Sequence, residues 1–135
     1  MQDFPEFMRH PSNKVFAKSI PGAGVEGFVY DGADGGQMII FTCESDGVSI
    51  EHVHDFDEYM VVVQGKYTVI LGDEKIPLGV GQEYFICKGL GHAGEYLAGT
   101  RTIHAFGGRR AKRAILERVQ GGDREAHQVH RHQTD

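Results

Sequence analysis

The sequence predicts an all-β protein, an antiparallel sandwich or barrel, and three observations carry that expectation. Across residues 28 to 106 the apolar and β-branched segments run for four to seven residues, the length of a strand rather than a helix. Glycine and aspartate punctuate them, and glycine alone supplies 19 of the 135 residues, which suits many tight turns. Between those turns no apolar residues recur at the three- and four-residue spacing of a helix face.

Residues 1 to 27 mix aromatic and polar positions without periodicity and form a predicted N-terminal arm. Phe4, Phe7 and Phe16 are placed to pack across a sheet edge or a partner subunit, and Ile20-Pro21-Gly22 is a turn. The barrel proper is predicted over residues 28 to 106. Residues 28–30 form a short strand, 31–36 a turn-rich loop, and 37–43 a continuous apolar run of the kind buried on both faces. The chain turns at 44–47 into a strand carrying His52. Residues 59–63 are a β-branched run that ends in a hairpin at Gln64-Gly65-Lys66, from which 67–71 pairs back. A second hairpin at 72–74 precedes 75–78; Gly79 and Gly81 lead into 84–87; the loop 88–91 delivers His92. Two last strands, 95–97 and 100–106, flank Ala98-Gly99. Beyond Gly107-Gly108 the period changes: Ala111, Ala114, Ile115 and Val119 predict a short amphipathic helix over 107–122, closed by Gly121-Gly122. Arg109, Arg110, Lys112, Arg113 and Arg118 are its solvated face, and the polar residues 123–135 are a disordered tail.

Chemistry concentrates in EHVHDFDEYMVVVQG, residues 51–65. His52 and His54 are two apart, so in an extended chain both imidazoles share a face roughly 7 Å apart, at about 3.3 Å per residue. Two such rings can close on one metal ion. Glu58 lies far enough along for a short bend to bring its carboxylate to the same point. If Glu58 faces inward, so do Met60 and Val62, which leaves Tyr59, Val61 and Val63 outside. Those are too apolar for open solvent, so the arm, the C-terminal helix or a second subunit covers them. A homodimer is the favoured expectation.

Two spacings then combine. His52-x-His54 is followed after three residues by Glu58 and after six more by Gly65; Gly81 precedes His92 by eleven positions, with Gly89 three before that histidine. Together they resemble the two signature motifs of the cupin superfamily, over residues 47 to 96. Gly47 lies one residue nearer to His52 than is usual, Cys87 stands in place of the motif proline, and Tyr96 stands where asparagine is common. The resemblance implies a double-stranded β-helix, or jelly-roll, barrel. It implies His52, His54, Glu58 and His92 as the four ligands of one divalent transition metal, and commonly a dimer. The alternative is a barrel of the same kind whose histidines are hydrogen-bonded core residues and hold no metal.

Three imidazoles and a carboxylate suit Fe, Mn, Ni, Cu or Zn without choosing among them, and four protein ligands leave one or two positions open on an ion that takes five or six. An open site points to catalysis more than to structure. Asp55 and Asp57 are solvated loop acids rather than competitors of Glu58. In the last strand either His104, with Thr102 and Phe106, or Arg101 faces the barrel. The first arrangement makes His104 a neighbouring base or fifth ligand; the second lets Arg101 hold a substrate carboxylate. Tyr84, Tyr96, Met38 and Met60 are core and pocket wall, and Cys87 is a small core residue. The expected activity is that of a metal-dependent enzyme on a small organic acid or enol. Dioxygenase-like oxidation comes first, as precedent among small single-domain cupins implies, with Glu58 or His104 moving the proton. Isomerisation, decarboxylation, or binding and sensing of a sugar or organic acid without turnover are the alternatives.

Composition excludes other classes. With 40% hydrophobic and 24% charged residues in 135, the chain is one ordinary globular domain. Its net charge of -5 is uneven: residues 1–106 carry 7 basic and 15 acidic side chains, giving -8, and residues 107–135 carry 7 and 4, giving +3. So acidic a body disfavours nucleic acid. No apolar run reaches the roughly 18 residues of a membrane span. Two cysteines, Cys43 and Cys87, and an N-terminus without the pattern of a signal peptide lead to an expected cytoplasmic protein with reduced thiols. His127, His130 and His132 near the C-terminus offer adventitious metal contacts.

Overall fold

Strands begin where each Gly- and Asp-rich turn ends and an aromatic or β-branched run starts. The computed structural model describes residues 3–17 and 25–111. Two 3₁₀ turns, Glu6–Arg9 and Pro11–Asn13, lead into β1 (Lys14–Ala17). Then come β2 (Val25–Asp31), β3 (Gln37–Cys43), β4 (Gly47–Val48), β5 (Glu58–Gln64) and β6 (Tyr67–Leu71). The remainder are β7 (Glu74–Leu78), β8 (Glu83–Ile86), β9 (Ala93–Tyr96) and β10 (Arg101–Phe106). All pair antiparallel, in a six-stranded sheet of order β1-β2-β3-β10-β5-β8 and a four-stranded sheet of order β4-β9-β6-β7. This is the jelly roll expected. Pro77, which cannot donate to a ladder, sits in the edge strand β7.

Alternation on the strands builds the core. Along β10 Thr102, His104 and Phe106 are buried and Arg101, Ile103 and Ala105 are not. On β5 Glu58, Met60 and Val62 are buried, as parity required. One apolar cluster joins Val29, Ile39, Phe41, Cys43, Tyr96 and Phe106. A second joins Met60, Val62, Val69 and Leu78, and Tyr67 packs against both.

Several expectations are corrected. The chain does not fold back at Gly65: β5 pairs with β10 and β8, whereas β6 pairs with β7 and β9 in the opposite sheet. Gly65 has φ +80°, and a Cβ there would stand 2.5 Å from Thr100 Oγ1, so this glycine carries a crossing between sheets under close contact. The arm is not separate from the sheet, because β1 pairs with β2, and β2 begins before residue 28. Phe4 covers Phe28, with ring centroids 5.4 Å apart, while Phe7 is exposed. β3 is not buried on both faces along its length, since on the Met38 face Met38 is 46% exposed and Ile40 half-buried, and only Thr42 near its end is buried. Cys87 is exposed rather than in the core. Residues 107–111 form a bend and not the first turn of a helix; the rest of the predicted helix, the tail and the turn at residues 20–22 lie outside the described residues. The outer face of the six-stranded sheet presents Tyr59, Val63 and Phe85, which are 38%, 43% and 58% exposed among the described residues.

Candidate metal centre

Glu58 opens β5 with its side chain inward, 3% exposed. Residues 49–57 ahead of it are mostly irregular, and within them an isolated β-bridge has His52 N donating to His92 O (2.9 Å) and His92 N donating to His52 O (3.0 Å). That bridge puts both imidazoles on one side. Because the segment is not a regular strand, its rings converge more than ideal strand geometry allows: the His52, His54 and His92 centroids stand 4.8, 4.3 and 5.2 Å apart in pairs. One ligand atom from each lies within 4.8 Å of the others.

Hydrogen bonds fix which nitrogen each ring offers. His52 Nδ1 donates to Ile50 O at 2.7 Å and His92 Nδ1 to Leu90 O at 2.9 Å, which leaves both Nε2 lone pairs aimed into the site. Arg110 Nη1 lies 3.0 Å from His54 Nε2; since a guanidinium only donates, that nitrogen is an acceptor too. Glu58 Oε1 stands 3.4 Å from His54 Nε2 and 3.3 Å from His92 Nε2. Glu58 Oε1 and His92 Nε2 are buried without a hydrogen-bond partner. Lone pairs facing one another in a buried site cost about 1–3 kcal/mol per orphaned atom, and a cation between them removes that cost. The residues therefore fit a metal of the borderline class.

The other carboxylate oxygen is held from behind. His104 Nδ1 donates to Glu58 Oε2 at 2.6 Å, and His104 Nε2 is 2.9 Å from Thr102 Oγ1. Of the two sequence alternatives, His104 is the one that faces the barrel. With both ring nitrogens engaged, it supports Glu58 rather than adding a fifth ligand. Arg101 lies on the outer face, donating to Thr42 Oγ1 and stacking 3.8 Å above the Phe4 ring, away from the site. Burial works to raise the Glu58 pKa, but the hydrogen bond and charge of His104 work against it and the carboxyl is held well below its usual range. His52 is pushed down to about 4, first by burial and then by the nearby Arg110 charge.

Asp57 accepts from Lys88 N at 2.8 Å and pins a loop, in keeping with a structural role, and Asp55 is exposed. Tyr96 and the buried Cys43 wall the cavity, the thiol pushed up to about 12 by burial. Burial also holds the Tyr67 hydroxyl above its ordinary range. The residue the sequence reading missed is Arg110. Instead of forming a solvated helix face, it reaches into the pocket, with its guanidinium 5.2 Å from the Phe106 ring centroid, and the cavity left beside it is about 40 Å³, room for a few waters. Its one signal in the sequence was Gly107-Gly108, which frees the chain to fold back after the last strand.

No protein-family model matches the sequence, and no curated protein sequence matches it. Solved structures do. The chain is similar to a cupin-2 domain containing protein of Shewanella frigidimarina, at 25% identity over 62% of this chain and 79% of that one, with a TM-score of 0.52. It is similar to an RmlC-like cupin of the same organism, at 16% identity over 78% and 94%, TM-score 0.61. It is also similar to KdgF of a Halomonas species, at 21% identity over 71% and 89%, TM-score 0.60. The chain has the cupin fold.

Proposed function

We propose that this protein is a metal-dependent enzyme acting on a small organic acid or enol, with dioxygenase-like oxidation as its reaction. The observation that carries the reading is the convergence of His52, His54, His92 and Glu58 Oε1 around a point where buried lone pairs face one another. His52, His54, His92 and Glu58 would hold the ion; Fe, Mn, Ni or Cu would supply Lewis-acid and redox chemistry there, and Zn Lewis-acid chemistry alone. The protein does the rest. The Nδ1 hydrogen bonds of His52 and His92 hold the rings as ready donors of Nε2. His104 keeps Glu58 oriented, and Glu58 is the group in reach of the cavity that can accept a substrate proton. Arg110 is the one guanidinium among the described residues lining the cavity, and its planar fork suits a carboxylate. Phe41, Phe106 and Tyr96 limit water around it. The test is oxygen uptake with a panel of small carboxylic acids and enols on metal-loaded protein: the reading expects turnover with at least one acid, abolished in His54→Ala, and a metal-loaded protein inert across the panel contradicts it.

One observation favours a second reading, binding without turnover. Both ring nitrogens of His104 are occupied, so Glu58 alone is left for proton transfer. A ligand that raises the melting temperature and is recovered unchanged supports that reading instead. We further propose a homodimer through the outer face bearing Tyr59, Val63 and Phe85, in the cytoplasm, where Cys43 and Cys87 stay as free thiols. Val61→Lys in the middle of that face then yields monomers in sedimentation, and a monomeric parent protein contradicts the dimer.

A further inference from the structure

Gln37, the first residue of β3, is 4% exposed and lies opposite Phe106, the last residue of β10. The β3–β10 ladder ends at that pair, yet the chain beyond β10 does not leave the barrel. Gln37 Oε1 accepts from Ala111 N at 2.9 Å, and Gln37 Nε2 donates to Ala111 O at 2.8 Å. The side-chain amide thus gives Ala111 the two bonds that a neighbouring strand would give, one donor and one acceptor for one residue's backbone. A third bond, Nε2 to Asp31 Oδ1 at 2.8 Å, sets which end of the amide is nitrogen. Ala111 itself is fully buried. The start of the same loop is held against the His54 segment: Gly107 N donates to Asp57 O at 2.9 Å, and Gly108 lies so close to Phe56 that a Cβ there would stand 2.5 Å from the ring. Phe56 in turn stacks on His54, 4.9 Å between centroids.

Both ends of the loop 107–111 are therefore fixed to the barrel, and Arg110 is the residue just before the clasped one. We propose that Gln37 is a positioning residue whose amide clasps the backbone of Ala111 and so aims the Arg110 guanidinium over the metal pocket, setting the site's preference for a carboxylate ligand. The inference rests on the organic-acid reading of the site and adds to it where the specificity is built. Without the clasp the Ala111 backbone loses both partners, the loop end is released, and a long flexible side chain no longer has a fixed origin. Anion recognition then weakens, and His54 Nε2 loses its contact with Arg110, while the bonds of His52 to Ile50, His92 to Leu90 and Glu58 to His104 do not involve the loop.

The test uses the full chain loaded with Co(II), whose visible absorption reports ligation, and malonate as a small dicarboxylate probe. Arg110→Ala, Gln37→Met and the double variant are titrated with malonate, and Co(II) affinity is measured separately by chelator competition. Arg110→Ala is expected to weaken malonate roughly tenfold or more, the loss of a bidentate charged contact. Gln37→Met is expected to lose most of that same factor with Co(II) affinity no weaker than the parent's, since release of Arg110 only frees His54 Nε2, and the double variant to bind malonate no worse than Arg110→Ala alone. A purely structural role for Gln37 predicts instead that its effect persists in the Arg110→Ala background. If Gln37→Met fails to fold, Gln37→Glu keeps the acceptor for Ala111 N and removes the two donated bonds, with the same non-additive loss expected. Wild-type malonate affinity in the Gln37 variant, or equal losses in both backgrounds, overturns the clasp alone. An Arg110→Ala protein that binds malonate as the parent does overturns the organic-acid reading and the clasp with it.

Discussion

Replacing His104 by phenylalanine isolates what lies behind the candidate ligand Glu58. The aromatic ring keeps its place, 5.2 Å from the Phe41 centroid and 5.9 Å from that of Phe106, so packing changes little. What goes is the 2.6 Å bond to Glu58 Oε2 and the 2.9 Å contact with Thr102 Oγ1. A hydrogen bond to a charged group contributes about 1.5–3 kcal/mol and a neutral one about 0.5–1.5, so the metal-free protein loses about 2–4 kcal/mol. For a domain of this size that is a fall in Tm of roughly 6–15 °C. Metal binding suffers for a different reason, because a carboxylate whose rear oxygen is unsupported no longer faces the histidines in one orientation. Losing such a supporting bond costs about 10–100-fold in metal affinity. Competition against a chromophoric chelator measures that factor, and circular dichroism measures the Tm. A His104→Phe protein that binds metal within about twofold of the parent, against the 10–100-fold expected, would refute the role given to His104.

Gly94 tests the packing beneath the site. A Cβ there would collide with the Tyr67 hydroxyl, so Gly94→Ala is expected to cost about 1–3 kcal/mol in a urea melt, and Tyr67→Phe in the same chain to recover part of it; an unchanged midpoint contradicts the close approach. The acid response comes from His52. Its folded pKa, about 4, lies below the roughly 6.5 of an unfolded chain. The unfolded state therefore takes the proton first, and stability that is full above about pH 6.5 declines down to about pH 4, where this group's contribution is exhausted. The depressed Glu58 adds a further loss as the pH falls below the ordinary carboxylate range. Urea midpoints of metal-free protein at pH 7 and pH 5 should fall less for His52→Gln than for the parent, and equal falls would show that His52 is not the group responsible.

Much of this was legible in the sequence for a local reason. Strand parity is a property of neighbouring residues, so the inward set Glu58, Met60 and Val62 came from placing a single residue. The ligand spacings are likewise short in sequence. What was hidden depends on partners far along the chain. Gln64-Gly65-Lys66 has the composition of a hairpin, and only the pairing of β5 with β10, and of β6 with β9, reveals a crossing between sheets. The segment after Gly108 has helical spacing, but the amide of Gln37, 74 residues away, clasps Ala111 and the loop turns back. Arg110 was lost with it, because a basic residue at an apparent helix surface carries no mark of burial. The choice between His104 and Arg101 needed the register of β10 against both neighbours, which no single strand specifies.

The central claim is one metal ion held by His52, His54, Glu58 and His92, and elemental analysis of metal content per chain tests it most directly. The protein to use is the full chain with His127, His130 and His132 changed to alanine, so that those imidazoles add nothing, compared with the same protein carrying His52→Ala and His92→Ala. The account predicts about one Fe, Mn, Ni, Cu or Zn per chain in the first, the single ion that such a donor set holds, and none in the second. Equal metal in both, or no metal bound by the first after incubation with each ion, would contradict it.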